Sequence, residues 1–433
     1  MLLRRLDLRG FTGDRAALRR ALPRPADEQQ RSAEAVAAII AEVRAGGDDA
    51  LRALTERFDR VVLDELRVPA EEDASALERN PSGLRQALEV AHRRIRDYHA
   101  HEAGTGVPDD YTADGVTVTH LVRPVTRAGC YAPGGRARYP STVLMCAVPA
   151  RVAGVAEVIL CVPPGADGRV DDATLAAAAV AGVDEVYRVG GAQAVAAMAY
   201  GTDSIRPVDV IVGPGNRYVA EAKRQVSGVV GVASAFAGPS EVVVVAGPET
   251  PPDLAAIDLV VQAEHGPDGL AWLITWSEEV ADRVAAEVDR IVAASPRRAD
   301  LEATLAVGGF AALVDGPALA FEVSNIVAPE HLEILTADAA DLLELVDSAG
   351  AVFLGPGSPA SVGDYLAGPN HVLPTNRTAR FASALRVDDF RKHIHAVTVS
   401  DAALVELGPQ VVTLAETEGL PAHAESVRRR WTT

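Results

Sequence analysis

Between residues 157 and 354 the chain repeats one pattern: a short β-branched run, a turn that is usually rich in glycine or proline, and an alanine-rich stretch with helical spacing. The runs are Glu157 to Pro163, Glu185 to Val189, Val208 to Val212, Glu241 to Gly247, Leu270 to Trp276 and Ala351 to Leu354. Strands this continuously apolar are buried on both faces, and strands separated by helices must cross over rather than turn back. The fold class expected is therefore α/β, with parallel sheets covered by helices on both sides. At 433 residues the chain exceeds one ordinary core. The composition breaks at Ala237-Gly-Pro-Ser-Glu241 and in the proline-rich Gly247 to Pro252 mark a hinge between two such lobes.

Before about residue 125 the periodicity is helical, with Ser32 to Arg44 closed by Gly46-Gly47 and a second stretch from Leu84 to His101. The segment after Thr375 carries fewer strand signals and ends in a basic helix through Arg428, Arg429 and Arg430, which reads as a tail. The divisions expected are an N-terminal helical arm at 1–23, a first α/β lobe at 24–239, a second at 240–378, and a C-terminal tail at 379–433.

A formal charge of −19 argues against nucleic acid and anionic membranes as partners, because both need a basic face. No apolar run reaches a membrane span, and the charged start Met-Leu-Leu-Arg-Arg does not suit a signal peptide, so a cytoplasmic location is expected. Cys130, Cys146 and Cys161 are odd in number and lack CxxC spacing. A metal site would therefore use nitrogen and oxygen ligands.

Three glycine turns follow strand-like segments: Tyr131-Ala-Pro-Gly-Gly135, Gly190-Gly-Ala-Gln193 and Gly213-Pro-Gly-Asn216. Such turns let backbone N–H groups approach a phosphate, and three of them suggest a shared ligand edge at the carboxyl ends of the strands. Tyr218 stands where a dinucleotide fingerprint needs its third glycine, so tight βα turns explain each one equally well. Asn325 to Ile334 sets Glu330 beside His331, directly behind Pro329. Pro329 suits the first position of a helix, which would place the pair in its first turn, where the positive dipole end opposes protonating His331. A carboxylate beside a neutral imidazole is a general-base pairing; a bland helix start fits the stretch as well. Gln262 and His265, spaced i,i+3, would share a helix face and could hold one metal ion. Asp364 and His371 lie in glycine- and proline-rich loops after a strand, where functional residues and simple turn chemistry are both common.

Taken in order, Gly213-Pro-Gly-Asn-Arg-Tyr-Val, Gly238-Pro-Ser-Glu241, Gln262-Ala-Glu-His265, Ala328-Pro-Glu-His-Leu-Glu333, Ser361-Val-Gly-Asp-Tyr365, Asn370-His-Val-Leu-Pro-Thr375 and Glu418-Gly-Leu-Pro-Ala-His423 resemble the histidinol dehydrogenase family over nearly the whole chain. The resemblance implies incomplete Rossmann-like lobes of aldehyde-dehydrogenase type, with a tail that crosses to a partner subunit. It implies oxidation of L-histidinol to L-histidine through the aldehyde, with NAD+ as acceptor twice and one zinc ion per subunit. By matching position, Gln262, His265 and Asp364 resemble zinc ligands, and His423 resembles the ligand given by the other subunit of a homodimer with shared active sites. Ser240, His371 and Glu418 resemble substrate contacts, with Gln262, His265, His331, Asp364 and His423 also facing substrate. Tyr131, Gln193 and Asn216 match NAD contacts, His331 the base and Glu330 the water-activating group. The rivals are a same-fold enzyme for another amino or sulfonated alcohol and a non-catalytic nucleotide- or metal-binding protein; a zinc hydrolase lacks its HExxH.

Overall fold

The computed structural model describes all residues except 24–29, 106–107, 135–137, 234–239, 265, 267–268 and 432–433. The chain opens with β1 (Arg4–Asp7) and α1 (Arg15–Ala21), whose first turn is capped by the Asp14 side chain accepting from Ala17 N. It continues through α2 (Gln30–Asp59), broken at Gly47 where φ is 52°, then α3 (Ala70–Arg79) and α4 (Ser82–Ala103). The glycine pair thus ends one helix, as the sequence suggested, and a second helix resumes at once. An antiparallel ribbon, β2 (Tyr111–Ala113) and β3 (Val116–Pro124), leads into the first parallel body.

That body alternates β4 (Arg127–Tyr131), α5 (Pro140–Ala153), β5 (Glu157–Cys161), α6 (Asp172–Ala181), β6 (Glu185–Tyr187), α7 (Gly191–Tyr200), β7 (Val210–Val212), α8 (Arg217–Val226) and β8 (Gly231–Val232). Its sheet runs β6-β5-β4-β7-β8, all parallel. The second body alternates β9 (Glu241–Ala246), α9 (Pro252–Ala263), β10 (Leu270–Thr275), α10 (Glu278–Ala294), α11 (Arg298–Gly308), β11 (Gly309–Leu313), α12 (Pro317–Val327), β12 (His331–Ile334), α13 (Ala339–Leu342), β13 (Ala351–Leu354) and α14 (Ala360–Tyr365). Its six-stranded sheet runs β1-β11-β10-β9-β12-β13, again parallel. Apart from β1, the two sheets share one connection order, and each reverses direction beside its first strand. β9 shows why such strands need helices on both faces: Glu241 to Ala246 are all buried. Each buried valine there stabilises the fold by roughly 1.5–3 kcal/mol.

Two expectations are corrected at the chain ends. Residues 1–23 are not a helical arm, because β1 pairs with β11 from Arg4↔Phe310 to Asp7↔Leu313 and forms the edge of the second sheet. The tail after residue 379 contains β14 (Arg391–Val399), which runs antiparallel to β3 along its whole length, followed by α15 (Asp401–Thr417) and α16 (Pro421–Trp431). The strand was missed because β14 has little burial to impose an alternating pattern: Arg391 is half-buried and every later residue is exposed. Among the described residues no helix is long and apolar enough to cross a membrane.

Candidate active site

The first body opens a cavity of about 600 Å³ lined by Tyr131, Gln193 and Asn216 together with Gly191 and Tyr218. Tyr131 ends β4, Gln193 lies in the first turn of α7, and Asn216 caps α8 by accepting from Tyr218 N and Val219 N. β4 and β7 are the neighbours at which the strand order reverses, and a crevice outside the carboxyl ends of such strands is where ligands bind in α/β sheets. The turn before Asn216 is held close. Gly213 has φ of 106°, and a Cβ there would lie 2.1 Å from the Tyr131 carbonyl oxygen. The buried Lys223 ammonium donates to the Gly213 carbonyl from below, and burial lowers that lysine to about 8. With the amino ends of α7 and α8 opening on it, the cavity suits an anionic, phosphate-bearing ligand.

Glu330 and His331 do not open a helix. α12 ends at Val327, Ala328 closes it in a left-handed conformation with φ of 50°, and the chain passes through Pro329 and Glu330 into β12, whose first residue is His331. Local signals suited a helix start, but β12 fills the slot between β9 and β13 and tertiary pairing prevails. The dipole argument for a neutral imidazole falls with the helix. Glu330 and His331 are buried, at 8% and 6% exposure. Glu330 accepts from the Ser240 hydroxyl and, at 3.2 Å, from Glu241 N. His331 Nδ1 lies 3.8 Å from Glu330 Oε2, and Nε2 lies 3.3 Å from Asp364 Oδ1. Burial disfavours the imidazolium, but the Glu330 charge and the Asp364 carboxylate outweigh it and raise His331 to about 9. Burial raises Glu330 above the ordinary carboxylate range. Among the described residues the two ring nitrogens of His331 face only these carboxylates.

Asp364 is not on a loop as expected but on the short helix α14. That helix packs closely on β13: a Cβ on Gly363 would lie 2.5 Å from the Phe353 ring, and the same ring lies 6.0 Å from that of His331. His371 Nδ1 donates to the Asp364 carbonyl at 2.8 Å, which leaves Nε2 to accept from the Thr142 hydroxyl at 3.3 Å. Thr142 belongs to α5, so this bond ties the second body's site to the first. Gln262 stands in the last turn of α9, 4% exposed, with Nε2 unpartnered among the described residues. The helix ends at Ala263, and His265 lies outside the described residues.

Ser240, Glu330, His331, Asp364 and His371 therefore gather at one place, at the amino ends of β9 and β12. Glu418 and His423 do not. Both are exposed on the α15–α16 arm, and no hydrogen bond or ion pair among the described residues joins them to the cluster. Among the described residues no three His, Cys, Asp or Glu side chains gather into a metal site. The three cysteines are free and buried, and burial pushes Cys146 and Cys161 to about 12 and Cys130 well above its ordinary value, so none is a ready thiolate.

The motif Gly238-Pro-Ser-Glu241 carried no assigned role for Glu241, whose side chain is wholly buried next to Glu330. Burial and then the Glu330 charge raise it to about 8. A carboxyl whose folded-state value exceeds its ordinary 4.5 contributes stability below pH 4.5 that is lost as pH rises towards 8. Relative to wild type, Glu241→Gln should therefore gain on the order of 3–5 kcal/mol between pH 5 and 8. Denaturant unfolding at both pH values measures this; a gap independent of pH would refute the buried neutral carboxyl.

A family model described as histidinol dehydrogenase matches residues 22–431. A protein of that name from Gluconobacter oxydans (strain 621H) is 48% identical over 433 residues, covering 99% of either chain. Another, from Parasynechococcus marenigrum (strain WH8102), is 47% identical over 419 residues, 96% of this chain and 95% of its own. The crystal structure of histidinol dehydrogenase from Elizabethkingia anophelis superposes with a TM-score of 0.92 at 33% identity, covering 100% of this chain and 98% of that one.

Proposed function

Since the chain belongs to the histidinol dehydrogenase family, we propose that it oxidises L-histidinol to L-histidine in histidine biosynthesis, through L-histidinaldehyde and with two NAD+ reduced per histidine. The observation that carries the reading is the buried Glu330–His331 pair, with His331 Nε2 3.3 Å from Asp364. His331 takes the hydroxyl proton of the alcohol, and again that of the aldehyde hydrate. Glu330 takes a proton from the water that adds to the aldehyde, and burial, by raising it above the ordinary carboxylate range, makes it a stronger proton acceptor. Ser240 keeps Glu330 oriented, and His371, fixed by Thr142 and the Asp364 carbonyl, faces the substrate.

Gln262, Asp364 and His265 would hold zinc with His423 of a second copy. Zinc held there would supply an anchor for the substrate's nitrogens and a positive charge beside Asp364, whose carboxylate otherwise raises His331. Bound NAD+ supplies the hydride acceptor, and Tyr131, Gln193 and Asn216 would hold it in the cavity they line. Enclosure protects the aldehyde between the two oxidations. A second copy is supported by the arm: Val397, Val405, Val411 and Leu414 are exposed on β14 and α15, an apolar surface of the kind that marks an interface.

The test is NADH formation from L-histidinol, with and without a zinc chelator. Two NADH per histidinol, lost on chelation and restored by zinc, is the expected result. Turnover of another alcohol with none of histidinol would sink the proposal.

A further inference from the structure

Glu333 lies two residues beyond His331 on β12, so both side chains stand on the same face of the sheet. At 1% exposure its carboxyl needs partners, and those partners come from the two helices that carry candidate ligands. Oε1 accepts at 3.0 Å from the backbone N of Ala360, the first residue of α14. Asp364, one turn along the same helix, reaches His331 Nε2 at 3.3 Å. On its other side Glu333 meets the carboxyl of Asp258 on α9, one turn before Gln262. Oε2 has no N–H or O–H donor among the described residues, and two carboxyls in contact are joined only by a shared proton. Burial, and Asp258 against it, raise Glu333 above the ordinary carboxylate range, so that proton is retained near neutrality.

We propose that the Asp258–Glu333 carboxyl pair is the positioning hub of the metal site, tying α9, β12 and α14 together and so fixing Gln262, His331 and Asp364 relative to one another. The proposal rests on the assignment of Gln262 and Asp364 as zinc ligands. Asp258 and Glu333 act through other residues and are not catalytic.

The measurement is zinc affinity of the metal-stripped full chain, by competition with a chromophoric chelator, with circular dichroism to establish folding. Glu333→Leu keeps the bulk but can neither accept from Ala360 nor bond Asp258; its zinc affinity should fall about 10–100-fold, as for other groups that orient ligands. Glu333→Gln should retain wild-type affinity, because its amide oxygen accepts from Ala360 while its NH2 donates to Asp258. If Glu333→Leu does not fold, Asp258→Leu, at a half-buried residue, cuts the tie to α9 alone and should still weaken zinc binding about tenfold. Wild-type affinity in the folded leucine variants, or equal losses in Glu333→Gln and Glu333→Leu, would overturn the hub. Asp364→Ala separates the two layers. Zinc lost there but kept in Glu333→Leu sinks the hub alone, whereas zinc kept in Asp364→Ala sinks the ligand assignment and the hub with it.

Discussion

Glu330→Gln is expected to lower the steady-state rate of histidine formation by about 10²–10⁴-fold, the usual contribution of one placed acid/base group. The substitution keeps shape and removes the proton acceptor. The amide oxygen can still accept from Ser240 and from Glu241 N, so packing beneath the site should survive. The first oxidation needs His331 rather than Glu330 and should persist better, giving close to one NADH per active site before the reaction stalls at the aldehyde. A second effect follows from charge. Glu330 is the strongest influence raising His331, so its loss should move the acidic limb of the pH–rate profile down. Stopped-flow counting of NADH per site, with the pH profile of the residual rate, checks both. A variant that still yields two NADH at the wild-type rate would leave Glu330 a structural carboxylate.

Much of this site was legible because its residues lie in short runs whose order is itself informative. The parallel strands announced themselves through continuous burial: Glu157–Cys161, Glu241–Ala246 and Leu270–Thr275 lie within the runs marked by β-branched residues. β4 and β11 were hidden, since Arg127–Tyr131 and Gly309–Leu313 contain glycine, alanine and little β-branching, and only their places between two other strands of a sheet make them strands. The turn at Ala328 was hidden for another reason. A non-glycine residue at φ of 50° leaves no mark in composition, and without it the following Pro-Glu looks like the start of a helix rather than the approach to β12.

That misreading reversed the electrostatics. A helix start would favour a neutral His331; a strand start between Glu330 and Asp364 raises it to about 9. The groups beneath the site were less legible still. Glu241 and Glu333 close the Gly238–Glu241 and Ala328–Glu333 motifs but stand in apolar strands that give no sign of their surroundings, and both are buried carboxyls raised well above the ordinary range. Only the register, which sets His331 opposite Val242 and Glu333 opposite Val244, brings them under one roof.

Mixing two inactive variants should restore activity if the arm completes the site of a second copy. His423→Ala removes the proposed partner-supplied ligand and His331→Ala removes the base, and each homodimer should be inactive. Subunit exchange then produces a mixed dimer in which one site combines an intact His331 with an intact His423 of the partner, while the other site lacks both. A twofold dimer with shared sites predicts about a quarter of wild-type activity for an equal, fully exchanged mixture, because half the dimers are mixed and each has one working site. The structure motivates the test. Among the described residues His423 is exposed on α16 with no hydrogen bond to the cluster, and the arm stands on a ribbon in which β14 pairs with β3 alone. Mixed dimers isolated by two different affinity tags remove the statistical assumption and should reach about half of wild-type activity per dimer. Isolated mixed dimers that stay inactive would mean that His423 does not serve its partner. The arm would then be a dimerisation element without a chemical task.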